Sequence, residues 1–185
     1  EMVDPLFGID LANPRAPKIL GELKIPGFSN YLHPLDENHL LGIGQDTQVN
    51  SSEGREFATT KGMKLAIFDV SEVNNPKEKH VELIGGQGTW SEALYNHKAV
   101  FFHEGVLALP VSVTASRPAD RWDYKVEFAG ALFYDVDLDT GFNQVGRVSH
   151  TNGEQEMFYH SDIRRIVQIE DVYNHLKICL KKSHR

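Results

Sequence analysis

Apolar residues in this chain come in short runs, each closed by an aspartate and a polar turn. Leu6-Phe7-Gly8-Ile9 ends at Asp10 and precedes Asn13-Pro14-Arg15-Ala16-Pro17-Lys18. Leu65-Ala66-Ile67-Phe68 ends at Asp69 and precedes Asn74-Asn75-Pro76-Lys77. Leu132-Phe133-Tyr134 ends at Asp135, with Thr140-Gly141 just beyond. The three aspartates stand 59 and 66 residues apart, so the pattern is an internal repeat. Runs of this length with β-branched and aromatic residues suit strands packed on both faces. An aspartate at a strand end can accept hydrogen bonds from the backbone N–H groups of the turn that follows.

Each run predicts a second strand after its turn, over Ile19–Ile25, His80–Ile84 and Gln144–Ser149. Two more strands follow in each unit: Asn30–Leu35 and His39–Ile43, Ala99–His103 and Val106–Val113, Arg165–Ile169 and Val172–Cys179. Tight polar turns separate these pairs at Asp36-Glu37-Asn38, Glu104-Gly105 and Glu170-Asp171. No long segment carries the helical period, and Ser91–His97 reads as the entry loop of a strand. The expected fold is therefore all-β and β-propeller-like, with about three four-stranded antiparallel blades. Two polar inserts, Gln45–Gly62 and Thr114–Glu127, leave between the second and third strands of a blade. They should emerge on one side of the disc. Gly85-Gly86-Gln87-Gly88 lacks the lysine and helix of a phosphate loop and reads as an interblade turn.

Three stretches carry a family likeness. They are Gly21-Glu22-Leu23-Lys24-Ile25-Pro26-Gly27-Phe28-Ser29-Asn30-Tyr31-Leu32-His33-Pro34, Asp36-Glu37-Asn38-His39-Leu40-Leu41-Gly42-Ile43-Gly44, and Phe68-Asp69-Val70-Ser71 with Gly88-Thr89-Trp90-Ser91-Glu92-Ala93-Leu94. With Gly130-Ala131-Leu132 they cover most of residues 6–150. In combination they resemble an uncharacterised family of secreted or membrane-anchored prokaryotic proteins. Its C-terminal β-propeller domain is distantly related to WD40 repeats. The resemblance implies a propeller and an extracytoplasmic location, and it brings no catalytic residues. Three blade equivalents fall short of a closed ring. Residues 1–185 thus read as one β-propeller-like domain that is a fragment of a longer chain. Its open blade faces should favour self-association.

Composition narrows the function classes. Of 185 residues, 41% are hydrophobic and 24% charged, which is ordinary globular usage. The net charge of −7 supplies no basic surface for nucleic acid. No apolar run approaches the roughly 20 residues of a membrane-spanning helix. Cys179 is the single cysteine, which excludes an internal disulfide and a cysteine-based zinc cluster.

Candidate chemistry is sparse. Asp135, Asp137 and Asp139, followed by Gly141, resemble a shortened calcium loop, and calcium is the one cofactor candidate. Nine histidines are scattered along the chain. His33/His39 and His97/His103 share a six-residue spacing at strand ends, which makes His33 and His97, with Asp36, candidate metal ligands. Ser91, Glu92 and His97 lack the nucleophile-elbow context of a hydrolase. Trp122, beside Arg121 and Asp123 in the second insert, is a candidate recognition residue, as is Trp90. The leading expectation is a binding or scaffold module for a protein, peptide or glycan. The rival is a metal-assisted hydrolase or lyase on a propeller scaffold.

Overall fold

The computed structural model describes residues 5–52, 55–115, 126–149 and 166. The chain divides into two compact units, Glu1–Leu83 and Ile84–Arg185. All ten described strands are antiparallel to their neighbours where register is defined.

In the first unit, β1 (Leu6–Asp10) and β2 (Lys18–Leu23) form a hairpin. A four-stranded sheet follows in the order β3 (Phe28–Pro34), β4 (His39–Ser52), β5 (Arg55–Asp69) and β6 (Lys77–Ile84). In the second unit, β7 (Phe101–His103), β8 (Val106–Thr114), β9 (Val126–Asp137) and β10 (Gly141–Ser149) make a second four-stranded sheet.

The central strands β4, β5, β8 and β9 carry the core because their apolar runs are continuous. Leu65, Ala66, Ile67 and Phe68 are consecutive and at most 2% exposed, so both faces of β5 are covered. Leu107, Leu109, Val111 and Tyr134 are equally buried in the second sheet. Ile166 joins Ala108, Ala131 and Phe133 in a cluster there, against Phe101.

The described strands fall where the repeat predicts them, with Arg165–Ile169 and Val172–Cys179 outside the described residues, but their grouping differs. The predicted units begin at Leu6, Leu65 and Leu132. The observed sheets instead begin at Phe28 and Phe101, two strands later. Hairpins of similar composition look alike in sequence; what assigns them is which edge pairs with which. The ladder from His39↔Asp69 to Ser52↔Arg55 joins β4 to β5 and places them in one sheet. The chain passes from one sheet to the next at Pro26-Gly27 and through Gly85–Val100, in agreement with the interblade reading of the glycine-rich segment.

Local chemistry explains the turns. Asp10 Oδ1 accepts from the Ala12 N–H at 2.8 Å, and Asp69 Oδ1 from the Ser71 N–H at 2.9 Å. In the third repeat the strand runs two residues past Asp135. Asp137, not Asp135, holds the turn, accepting from the N–H groups of Asp139 and Thr140 at 2.9 and 2.8 Å. Glu104 and Gly105 have φ of 48° and 80°, the twist of a two-residue type I′ hairpin. Ser91–His97 folds as parts of two 3₁₀ turns, Glu92–Leu94 and His97–Ala99, capped by the side chains of Ser91 and Asn96. The β1–β2 hairpin lies on the turn after β5. A Cβ added to Gly8 would meet Val73 Cγ1 at 2.6 Å, and one added to Gly21 would collide with the Val73 carbonyl.

Candidate functional site

The first polar insert lies largely within strands. Its residues continue β4 and β5 as a paired ribbon. The last pairing of β4 with β3 is Phe28↔Gln45, whereas its pairing with β5 continues to Ser52↔Arg55. Seven residues of β4, Asp46–Ser52, therefore extend past β3, a reach of roughly 20 Å at the usual rise per strand residue. The sequence permits this because β-branched positions recur within the polar stretch, at Thr47, Val49, Thr59 and Thr60. Asn50 Nδ2 donates to Thr59 Oγ1 at 2.8 Å, a side-chain rung across the ribbon.

A β-bulge marks the base of this arm, between Asp46 and Thr47. Thr47 is buried, and its hydroxyl oxygen accepts from the Gly27 N–H at 2.9 Å. The second sheet repeats the device. Its bulge falls between Val113 and Thr114, and Thr114 holds the register position of Thr47. The Thr114 hydroxyl donates to the Gln87 carbonyl at 2.7 Å, with the Gly86 carbonyl 3.1 Å away. The Thr114 N–H donates to Thr89 Oγ1 at 3.1 Å. In both sheets a threonine on the second strand thus clamps the segment that leads into the first strand. The second insert leaves directly beyond Thr114, so both inserts arise at equivalent points. This equivalence was expected from the repeat; the threonines that enforce it were not. Their signal was a threonine 67 residues after another, each eight residues into its strand.

The arm's base holds a buried ion pair as well. Lys64 is 7% exposed, and its Nζ lies 2.6 Å from Glu78 Oε1. The same ammonium donates to the Pro26 carbonyl at 3.1 Å. A lone cation between Met63 and Leu65 was the sequence signal for it.

Trp90 is half-buried and bridges to β8. Its N–H donates to the Ser112 carbonyl at 2.9 Å, and the Ser112 N–H donates back at 2.8 Å. Next to it, Ser91 is fully buried and donates its hydroxyl to the Pro110 carbonyl. Ser91 Oγ also accepts from the Ala93 N–H at 3.0 Å. Pro110 has no N–H to offer, and β7 pairs with β8 only as far as Phe101↔Ala108. Trp90 and Ser91 cover the edge of β8 that β7 leaves. Trp122, Arg121 and Asp123 lie outside the described residues.

The candidate metal ligands sit in different elements. His33 Nδ1 lies 3.0 Å from the Tyr31 hydroxyl, within β3. His97 is exposed and opens a 3₁₀ turn, so it does not occupy the place equivalent to His33. Asp36 Oδ1 lies 2.9 Å from His39 Nδ1 and accepts from the Asn38 N–H at 2.7 Å. That backbone bond, helped by His39, holds the Asp36 carboxyl below the usual range. Asp69 is lowered by the hydroxyl and N–H of Ser71. Burial raises Glu82. Asp135, Asp137 and Asp139 are all exposed, and Asp137 is engaged by its own turn. Among the described residues no three His, Cys, Asp or Glu side chains gather as metal ligands. No described helix is long and apolar enough to cross a membrane.

Comparison with known proteins agrees with the repeat. An uncharacterized protein of Archaeoglobus fulgidus is 46% identical over 109 residues, which is 58% of this chain and 15% of that protein. An uncharacterized protein of Methanocaldococcus jannaschii is 43% identical over 101 residues, 55% of this chain and 14% of that one. The matched stretch thus spans about one-seventh of the length of these relatives. No solved structure matches the chain. Residues 1–178 match the beta propeller domain family, and with two four-stranded antiparallel sheets joined in sequence this chain belongs to that family.

Proposed function

We propose that this domain is a non-enzymatic binding module that works outside the cytoplasm. Its ligand is a protein, peptide or glycan, held by the β4–β5 arm. The observation that carries this reading is the arm itself. A paired ribbon reaches past its sheet neighbour, and its base is fixed by Thr47 and by the Lys64–Glu78 pair. A rigid base under a hydroxyl- and amide-rich ribbon suits recognition of polar chains through hydrogen bonds. A propeller scaffold in general suggests a binding or scaffold role, in which the chemistry lies in what the sheets carry. The extracytoplasmic placement follows the resemblance carried by Gly21–Pro34 and its companion stretches.

The test is a glycan array and a displayed peptide library, each probed with the full chain and with a variant whose residues 48–59 are replaced by Asn-Gly. The reading expects ligands that bind the full chain and lose at least tenfold in affinity for the variant, with its melting temperature unchanged. Ligands that bind both proteins equally, or none from either library, would overturn it.

A further inference from the structure

We propose that Asn50 is a modification site: it carries an N-linked glycan that shields the open edge of the β4–β5 arm. Asn50-Ser51-Ser52 is an Asn-X-Ser acceptor triplet. Of the ten asparagines in the chain, Asn50 alone has a serine or threonine two residues on. A triplet this short recurs by chance, so its place in the fold decides.

That place is the arm. Beyond Phe28↔Gln45 no described strand pairs with the outer side of β4. A bulky polar group attached there meets a two-stranded ribbon rather than a packed sheet. The same edge calls for protection. Open strand edges invite pairing with other chains, and charges, prolines or bulges usually blunt them. The bulge between Asp46 and Thr47 protects only the base of the arm. The rest of the edge, Thr47-Gln48-Val49-Asn50-Ser51-Ser52, holds no charge and no proline. In the second sheet β8 ends at Thr114, at its own bulge, and extends no such edge. A glycan in the middle of the unprotected stretch supplies what its sequence omits.

The geometry at Asn50 suits the attachment. Its Nδ2 carries two hydrogens. One bond, to Thr59 Oγ1, is 2.8 Å; the other contact, to the Gln48 carbonyl, is 3.4 Å and weak. Glycosylation removes one hydrogen, and the remaining N–H can keep the rung to Thr59. The sugar then sits on the face shared by Gln48, Asn50 and Thr59, which leaves the opposite face of the ribbon to a ligand. In the transfer, Asn50 Nδ2 bonds to C1 of a sugar borne on a lipid-phosphate carrier. The C1–O bond breaks, the carrier departs as its phosphate, and the amide proton passes to solvent. Nothing is oxidised or reduced. The inference rests on the extracytoplasmic placement proposed above, because such triplets are glycosylated in secreted proteins.

The test weighs the tryptic peptide of residues 25–55, which holds Asn50 and no internal Lys or Arg. The full-length protein is isolated from its own cells, and fractionation records its compartment. A protein outside the cytoplasm, with this peptide heavier by whole sugar residues on Asn50, is expected. Ser52→Ala should lower the occupancy about tenfold or more, whereas Ser52→Thr keeps the hydroxyl and should retain it. Enzymatic removal of the glycan should raise the oligomer fraction in sedimentation velocity about twofold or more. A bare peptide from protein found outside the cytoplasm would overturn the modification alone. A bare peptide from cytoplasmic protein would overturn the modification and the placement together. A glycan whose removal leaves self-association unchanged would overturn the shielding role.

Discussion

Replacing Lys64 with Met strands Glu78. The substitution keeps the length of the stem and removes the ammonium that meets Glu78 Oε1 at 2.6 Å and the Pro26 carbonyl at 3.1 Å. The side chains are 8% and 20% exposed, so water cannot replace the lost partner fully. Breaking a buried pair on one side costs about 3–5 kcal/mol, against about 0–1 kcal/mol for a surface pair. The partial exposure of Glu78 argues for the lower end, about 3 kcal/mol. The pair lies inside the first compact unit, Glu1–Leu83. If that unit melts as one, its melting temperature should fall by about 12 °C or more, at about 4–8 °C per kcal/mol for a unit of this size. Circular dichroism melts at pH 7 read the shift. The double variant Lys64→Met with Glu78→Leu removes both charges and should recover most of the loss, because an apolar pair of similar volume replaces a buried ion pair at little cost. A fall of under about 1 kcal/mol in the single variant would place the pair with exposed ones and refute the reasoning. A double variant no more stable than the single would refute it equally, by showing that shape rather than charge is at issue.

Two further predictions follow from the hydrogen bonds. Thr114→Val keeps the side-chain shape but leaves the Gln87 carbonyl without its hydroxyl donor, and should cost the second unit about 1–3 kcal/mol in urea unfolding at unchanged m-value; no loss would show that the clamp adds nothing to its register. Asp69 has its carboxyl lowered below 3.8 by Ser71, so its contribution is complete above the unfolded value and is lost as pH falls through the lowered folded value. Asp69→Asn should therefore shrink the stability difference between pH 7 and pH 3, measured by urea unfolding; an unchanged difference would refute the assignment.

The repeat was legible because its signals are local. An apolar run, an aspartate and an Asn/Pro turn act within a dozen residues, and Asp10 and Asp69 do what their positions implied. Asp135 failed by two residues because turn capping depends on where the strand stops, and β9 continues through Val136 to Asp137. The grouping of hairpins into sheets was not legible, since β3–β4 and β5–β6 have similar patterns and differ in which edges meet. The arm was read only as a polar insert for a related reason: hydroxyl and amide residues carry little strand signal unless their β-branched members are counted as strand formers.

The site hypotheses divide along the same line. Trp90 and Ser91 drew attention as rare or reactive side chains; what the structure adds is that their segment covers the edge of β8 left by the short β7 and the missing N–H of Pro110. Thr47 and Thr114 drew none, being common residues. Only the register shows that both sit at a bulge, both face a glycine segment and both anchor the start of an insert. A repeat that preserves a clamp at the root of two inserts, while the inserts differ in sequence, separates a constant scaffold from variable ends. That separation suits a scaffold: the sheets carry the stability, at Lys64 and Thr114, and the inserts are free to differ in sequence.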